Sequence, residues 1–107
     1  MAREIDRTLS IARQVVERLR SRIPVTEAYL FGSQLDGTAT DDSDIDIAAF
    51  SPAADGMRYD EKVALIVDIE RQVGGPIDLH VFGDRCLIEA RPTNLFGYVR
   101  AHGQPLL

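Results

Sequence analysis

Residues Val25 to Phe50 read VTEAYLFGSQLDGTATDDSDIDIAAF. Two apolar runs, Val25–Phe31 and Ile45–Phe50, flank a polar stretch that opens on Gly32-Ser33 and ends on Asp44-Ile45-Asp46. In the first run Val25, Glu27, Tyr29 and Phe31 alternate with Thr26, Ala28 and Leu30, and the composition is β-branched and aromatic. This pattern predicts a strand. Ile45–Phe50 predicts a second strand, ended by Ser51-Pro52. Between them Ser33 to Leu35 is predicted to form one helical turn before the turn dipeptide Asp36-Gly37. The connection, at roughly 13 residues, is longer than a hairpin loop, and long loops in compact domains are usually functional.

On the N-terminal side, Ile5, Leu9, Ala12, Val16 and Leu19 form one helical stripe, which predicts a helix over 3–20. Pro24 forbids its continuation. On the C-terminal side, Asp55 is the expected N-cap of a helix over 57–73, with Tyr59, Val63, Ile66, Ile69 and Val73 as its apolar stripe. Gly74-Gly75-Pro76 ends that helix, and Ile77–Phe82 predicts a third strand. Asp84 is the expected cap of a short helix through Ala90, and Thr93 of another over 94–101 that Gly103 stops. Gly97 weakens the latter by about 1 kcal/mol relative to Ala. Gln104–Leu107 is read as extended or frayed. The expected fold class is α/β (α+β): a small mixed sheet of about three to four strands with helices packed on one side. The 107 residues are read as one domain, with a helix at 3–20, a core at 25–82 and short helices at 84–103.

The formal net charge is −5, which argues against sequence-independent binding to nucleic acid, since that requires clustered cations. It does not argue against a nucleotide substrate whose charge metal ions would carry. The charge is uneven. Six arginines and three acids fall in the first 22 residues, whereas Asp36 to Asp46 contains five aspartates and no base. The arginines are read as a solvated helix face, with a docking face for an acidic partner as the sharper alternative. Cys86 is the only cysteine, so no intramolecular disulfide forms, and a buried structural thiol is expected. One free thiol, no signal peptide and no apolar run of about 20 residues give a cytoplasmic, non-membrane expectation.

Alternation places Asp44 and Asp46 on one face of a strand, about 6.6 Å apart along it. Two carboxylates about 5 Å apart repel by roughly 3 kcal/mol at an effective dielectric of about 20. A divalent cation reverses the sign, and oxygen ligands suit Mg²⁺ or Mn²⁺. Asp78 stands in an otherwise apolar strand, where a lone carboxylate is costly unless paired or metal-bound. Asp44, Asp46 and Asp78 are therefore the candidate metal ligands and catalytic residues of a two-metal site, with Asp78 also receiving the proton of the attacking hydroxyl. Gly32 and Ser33 are the candidate nucleotide-binding residues. Glycine admits close approach of a phosphate, and a helical turn at Ser33 offers free N–H groups and a hydroxyl. His80 shares the face of Asp78 and is read as a satisfied sheet histidine, with proton transfer or acceptor binding as the alternative. Asp41 and Asp42 are read as solvated loop acids. Tyr29, Tyr59 and Tyr98 are read as packing residues.

In these motifs, Leu30-Phe31-Gly32-Ser33, Ser43-Asp44-Ile45-Asp46-Ile47 and Ile77-Asp78-Leu79, the chain resembles the minimal nucleotidyltransferase branch of the DNA polymerase β-like superfamily over 25–82. The resemblance implies a nucleotidyltransferase fold, Mg²⁺ as cofactor and transfer of a nucleoside monophosphate from an NTP, usually ATP, to a hydroxyl. It also implies an antitoxin role: pairing in a hetero-oligomer with a HEPN-type ribonuclease toxin and silencing it by adenylylating a tyrosine. The sequence departs from the branch at Gln34 and Asp36, where many members carry arginines. The metal half of the site is thus better supported than the triphosphate half. Two other readings stay open: a module of this fold that neutralises its partner by occlusion, and a small-molecule nucleotidyltransferase.

Overall fold

The computed structural model describes residues 2–32, 44–91 and 93–107, with side chains from Arg7 onward. The elements are α1 (Ala2–Arg20), β1 (Glu27–Phe31), β2 (Ile45–Ser51), a 3₁₀ turn (Pro52–Gly56), α2 (Tyr59–Val73), β3 (Ile77–Gly83), α3 (Arg85–Ile88), α4 (Leu95–His102) and β4 (Gln104–Pro105). The helical turn predicted at Ser33–Leu35 lies outside the described residues. The four strands form one mixed sheet in the order β3-β2-β1-β4. β1 runs antiparallel to β2 and β4, and β2 runs parallel to β3. A parallel pair needs a crossover, which α2 supplies.

β2 is an interior strand, and six of its seven residues, Ile45 and Ile47–Ser51, are buried. Burial on both faces is why Ile45–Phe50 reads as nearly continuous apolar sequence. Asp46 is the exception. On one face Ala28, Leu30, Ile45, Ile47, Ala49, Leu79 and Val81 pack against Ala12, Val15, Val16 and Leu19 of α1 and Leu65 and Ile69 of α2. The two long helices thus share one side, as the periodicity predicts. The opposite face carries Ala48 and Phe50 at its centre, with Tyr29, Phe31 and Phe82, and is covered at one end by Cys86 and Leu87 of α3 and Phe96 and Val99 of α4. Phe82 meets Phe96 edge-on at 5.1 Å between centroids and Phe50 at 5.6 Å. The short helices therefore extend the architecture onto the second face.

Several local expectations are corrected. Asp55 does not cap α2. It lies in the 3₁₀ turn, where its Oδ1 accepts from the Arg85 N–H at 3.4 Å, and Arg58 precedes α2. Asp84 makes no capping bond to α3; its Oδ2 accepts instead from Thr26 Oγ1 at 2.8 Å. Asn94, not Thr93, caps α4, accepting from the Gly97 N–H at 2.9 Å. Gly97 is required by contact rather than by turn geometry, since a Cβ there would lie 1.8 Å from the Arg91 carbonyl oxygen. Of the two readings of the tail the extended one holds: β4 pairs with β1, and the Leu106 N–H donates to the Ala28 carbonyl at 2.8 Å. The stripe predicted for α2 holds at Ile66, Ile69 and Val73, which pack on the core with Leu65, but not at its start, where Tyr59 is 80% exposed. Tyr59 and Tyr98 are both exposed, so of the three tyrosines only Tyr29 packs inward. Cys86 is half-buried, and its burial pushes the thiol above its ordinary value.

Candidate active site

Side-chain alternation builds the site. Asp46, Ala48 and Phe50 of β2, Asp78, His80 and Phe82 of β3, and Tyr29 and Phe31 of β1 are the strand positions that face away from the long helices. The parallel register pairs Asp46 with Asp78 and Ala48 with His80. Neighbouring strands lie about 4.8 Å apart, so the two aspartates stand side by side. A hydrogen bond from the Ile45 N–H to the Pro76 carbonyl at 2.6 Å aligns the entrances of the two strands. The Leu79 N–H on β3 donates to Glu70 Oε2 of α2 at 3.0 Å. That bond ties the strand carrying Asp78 to the helix that delivers it.

One carboxylate oxygen each from Asp46 and Asp78 and one ring nitrogen of His80 lie within 4.8 Å of one another. All three residues are half-buried. His80 Nε2 is 3.3 Å from Asp78 Oδ2. The imidazole stacks on Phe82 with an interplanar angle of 5° and a centroid distance of 6.1 Å, and Phe31 flanks it at 5.9 Å. His80 is therefore partnered, as the sequence suggests, but by a carboxylate of the site itself. Its spacing of two residues from Asp78 on one strand was the available signal. Asp44 is exposed and immediately precedes β2. Asp46 and Asp78 are thus brought together, Asp44 stands at the mouth of the strand, and Ser33 lies outside the described residues.

Electrostatics single out Asp46. Burial raises its pKa above the ordinary carboxylate value, and the negative charges of Asp78 and Asp44 add to the rise while His80 opposes it. A half-buried carboxylate held beside like charges favours either a proton or a cation. Gly32 completes the arrangement. Its φ is +84°, and a Cβ would lie 2.4 Å from Asp46 Oδ2. Glycine here meets a positive φ and leaves room for the Asp46 carboxylate.

The donor set fits a divalent cation. Ligands around one small ion with bonds of about 2.1 Å lie about 3–4 Å apart, so three donors within 4.8 Å converge on it after small rotations. Two carboxylates and an imidazole are also the donor types that first-row cations accept.

Residues 12–94 match the nucleotidyltransferase domain family. The fold recurs in solved structures. One, from Sulfolobus solfataricus and provisionally classed as a nucleotidyltransferase, is 26% identical with a TM-score of 0.66, over 82% of this chain and 78% of that one. A toxin-antitoxin structure with AMP-PNP is 28% identical with a TM-score of 0.65, over 90% of this chain and 72% of that one. A mutant of the toxin-antitoxin MntA-HpeT, with two aspartates replaced by glutamate, is 26% identical with a TM-score of 0.63 over the same shares. No curated protein matches the chain. Among the described residues no helix is long and apolar enough to cross a membrane. The match over 12–94, together with the carboxylate pair on adjacent parallel strands, establishes that the chain belongs to the nucleotidyltransferase domain family.

Proposed function

We propose that the protein moves AMP from ATP to a hydroxyl, a tyrosine, of a protein partner, and that the partner is a HEPN-type toxin which the transfer silences. The observation that carries this reading is the pairing of Asp46 with Asp78 across β2 and β3, backed by Gly32. A pure occlusion module has no need of a repelling carboxylate pair, which costs stability in the absence of a cation. The toxin-antitoxin neighbours, one of them with AMP-PNP, support a toxin as partner and an adenine nucleotide as substrate.

In this reading Asp44, Asp46 and Asp78 hold Mg²⁺ or Mn²⁺. The cation supplies charge neutralisation on the phosphates and a lowered pKa at the attacking hydroxyl. Asp78 sits nearest the acceptor and takes its proton. The acceptor oxygen bonds to the α-phosphorus, the bond from that phosphorus to the bridging oxygen breaks, and pyrophosphate leaves. Gly32 and Ser33 bind the triphosphate. The cellular setting is the cytoplasm, where ATP and Mg²⁺ are available.

The test is incubation with Mg²⁺, ATP labelled at the α-phosphate and the product of the adjacent gene. Label is expected on the partner, and an Asp44→Asn/Asp46→Asn variant is expected to abolish it. Partner silencing without label would reject the enzymatic reading. One sequence feature favours a second reading, a weakly catalytic module that silences by occlusion. Gln34 and Asp36 place a neutral and an acidic residue where a base near the triphosphate is common in the branch. The same experiment separates the two.

A further inference from the structure

We infer that His80 is itself a cation ligand, and that its nitrogen biases the site toward Mn²⁺ over Mg²⁺. The inference rests on the nucleotidyltransferase reading of the Asp46–Asp78 pair and adds to it a residue and a selectivity. Three observations lead to it. The His80 ring nitrogen converges with one oxygen of Asp46 and one of Asp78 within 4.8 Å, so it occupies the same space as the carboxylate donors. The ring is held between Phe82, to which it is parallel within 5°, and Phe31, so Nε2 points along the sheet toward Asp78. Its register partner on β2 is Ala48, one pair along from the Asp46–Asp78 pair, so His80 and both carboxylates share one face of the sheet. The trio is assembled from two adjacent strands with a fixed register, so its spacing does not depend on loop conformation.

The chemistry follows from donor type. Mg²⁺ takes oxygen ligands and keeps its waters, and it gains little from an imidazole. Affinity for a mixed nitrogen and oxygen site rises along the first-row series from Mn²⁺ onward, a series to which Mg²⁺ does not belong. An all-oxygen site of three aspartates would favour neither strongly, whereas Asp-Asp-His shifts the preference. Asp44, exposed at the entrance of β2, remains available to the same ion or a second one.

The test is Mn²⁺ binding to the nucleotide-free protein, read by electron spin-echo envelope modulation together with equilibrium titration of Mn²⁺ and Mg²⁺. The bound Mn²⁺ is expected to show coupling to an imidazole nitrogen. That coupling should vanish in His80→Gln and persist in His102→Gln, which alters the only other histidine. His80→Gln should weaken Mn²⁺ on the order of tenfold while Mg²⁺ changes by less than about threefold. Bound Mn²⁺ without nitrogen coupling would overturn the role of His80 and leave the nucleotidyltransferase reading intact. Equal weakening of both cations would overturn the preference for Mn²⁺. Failure of the unmutated protein to bind either cation would overturn the carboxylate site and His80 with it. The nitrogen coupling is read on the unmutated protein, so poor folding of a variant does not confuse the result.

Discussion

Substituting Gly32 by alanine perturbs the backbone and the site at one atom. At φ +84° an L-residue is strained by about 1–2 kcal/mol. The added Cβ would lie 2.4 Å from Asp46 Oδ2 and 3.3 Å from its Cγ. To regain ordinary contact the carboxylate must move by about 1 Å. The displaced group is the end of a side chain rather than backbone, so rotation relieves most of the overlap and leaves about 1 kcal/mol. Gly32→Ala should therefore cost about 2–3 kcal/mol of stability in total. Its effect on cation binding should be larger in proportion, on the order of tenfold or more, because the rotation removes Asp46 from Asp78 and His80. Urea unfolding of the metal-free protein and Mn²⁺ titration measure the two quantities. An Asp46→Ala background provides the control. Without the carboxylate only the φ strain remains, so the stability cost of Gly32→Ala should fall to about 1–2 kcal/mol, a coupling of about 1 kcal/mol. An unchanged cation affinity in Gly32→Ala, or the same stability cost in both backgrounds, would refute the close-approach reasoning.

Other expectations concern single residues. Because the Asp46 pKa is raised on folding, the folded protein binds more protons than the unfolded chain above the ordinary carboxylate pKa of 3.8. Metal-free stability should therefore fall as pH rises through the raised value, and Asp46→Asn should remove that component; a pH series of unfolding curves in chelator checks it. Gly97→Ala, which in an open helix would stabilise by about 1 kcal/mol, should instead destabilise by about 3 kcal/mol, because the new Cβ meets the Arg91 carbonyl at 1.8 Å. Asn94→Ala should cost about 1–2 kcal/mol in thermal or chemical unfolding, since its side chain accepts from the Arg91 and Gly97 N–H groups and donates to the Glu89 carbonyl.

The parts legible in the sequence were those fixed by local periodicity. The stripe on α1, the doubly buried run of β2 and the Gly-Gly-Pro stop after α2 each carry their cause in a few adjacent residues. The Asp46–Asp78 pairing was anticipated as carboxylates on neighbouring strands, because an acid in an apolar strand demands a partner. What could not be read were partners fixed by tertiary contact. Asp55 and Asp84 look like helix caps, yet one serves the start of α3 and the other meets Thr26 at the head of β1. Gly97 resembles a weak point in a helix, yet it marks a backbone crossing. Tyr59 and Val63 continue an apolar stripe that the geometry of α2 against β3 leaves outside the core. At Gly32, read from the sequence as a point of phosphate approach, the structure adds the Asp46 carboxylate as a neighbour.

The most direct measurement is the intact mass of the partner protein after incubation with ATP and a divalent cation, comparing the unmutated protein with Asp46→Asn and Asp78→Asn. The expected result is a mass increase by whole adenylyl units with the unmutated protein and none with either variant, accompanied by loss of partner activity only where the mass increases. Silencing of the partner at unchanged mass, or an unchanged mass increase with either aspartate replaced, would contradict a carboxylate-paired nucleotidyltransferase site.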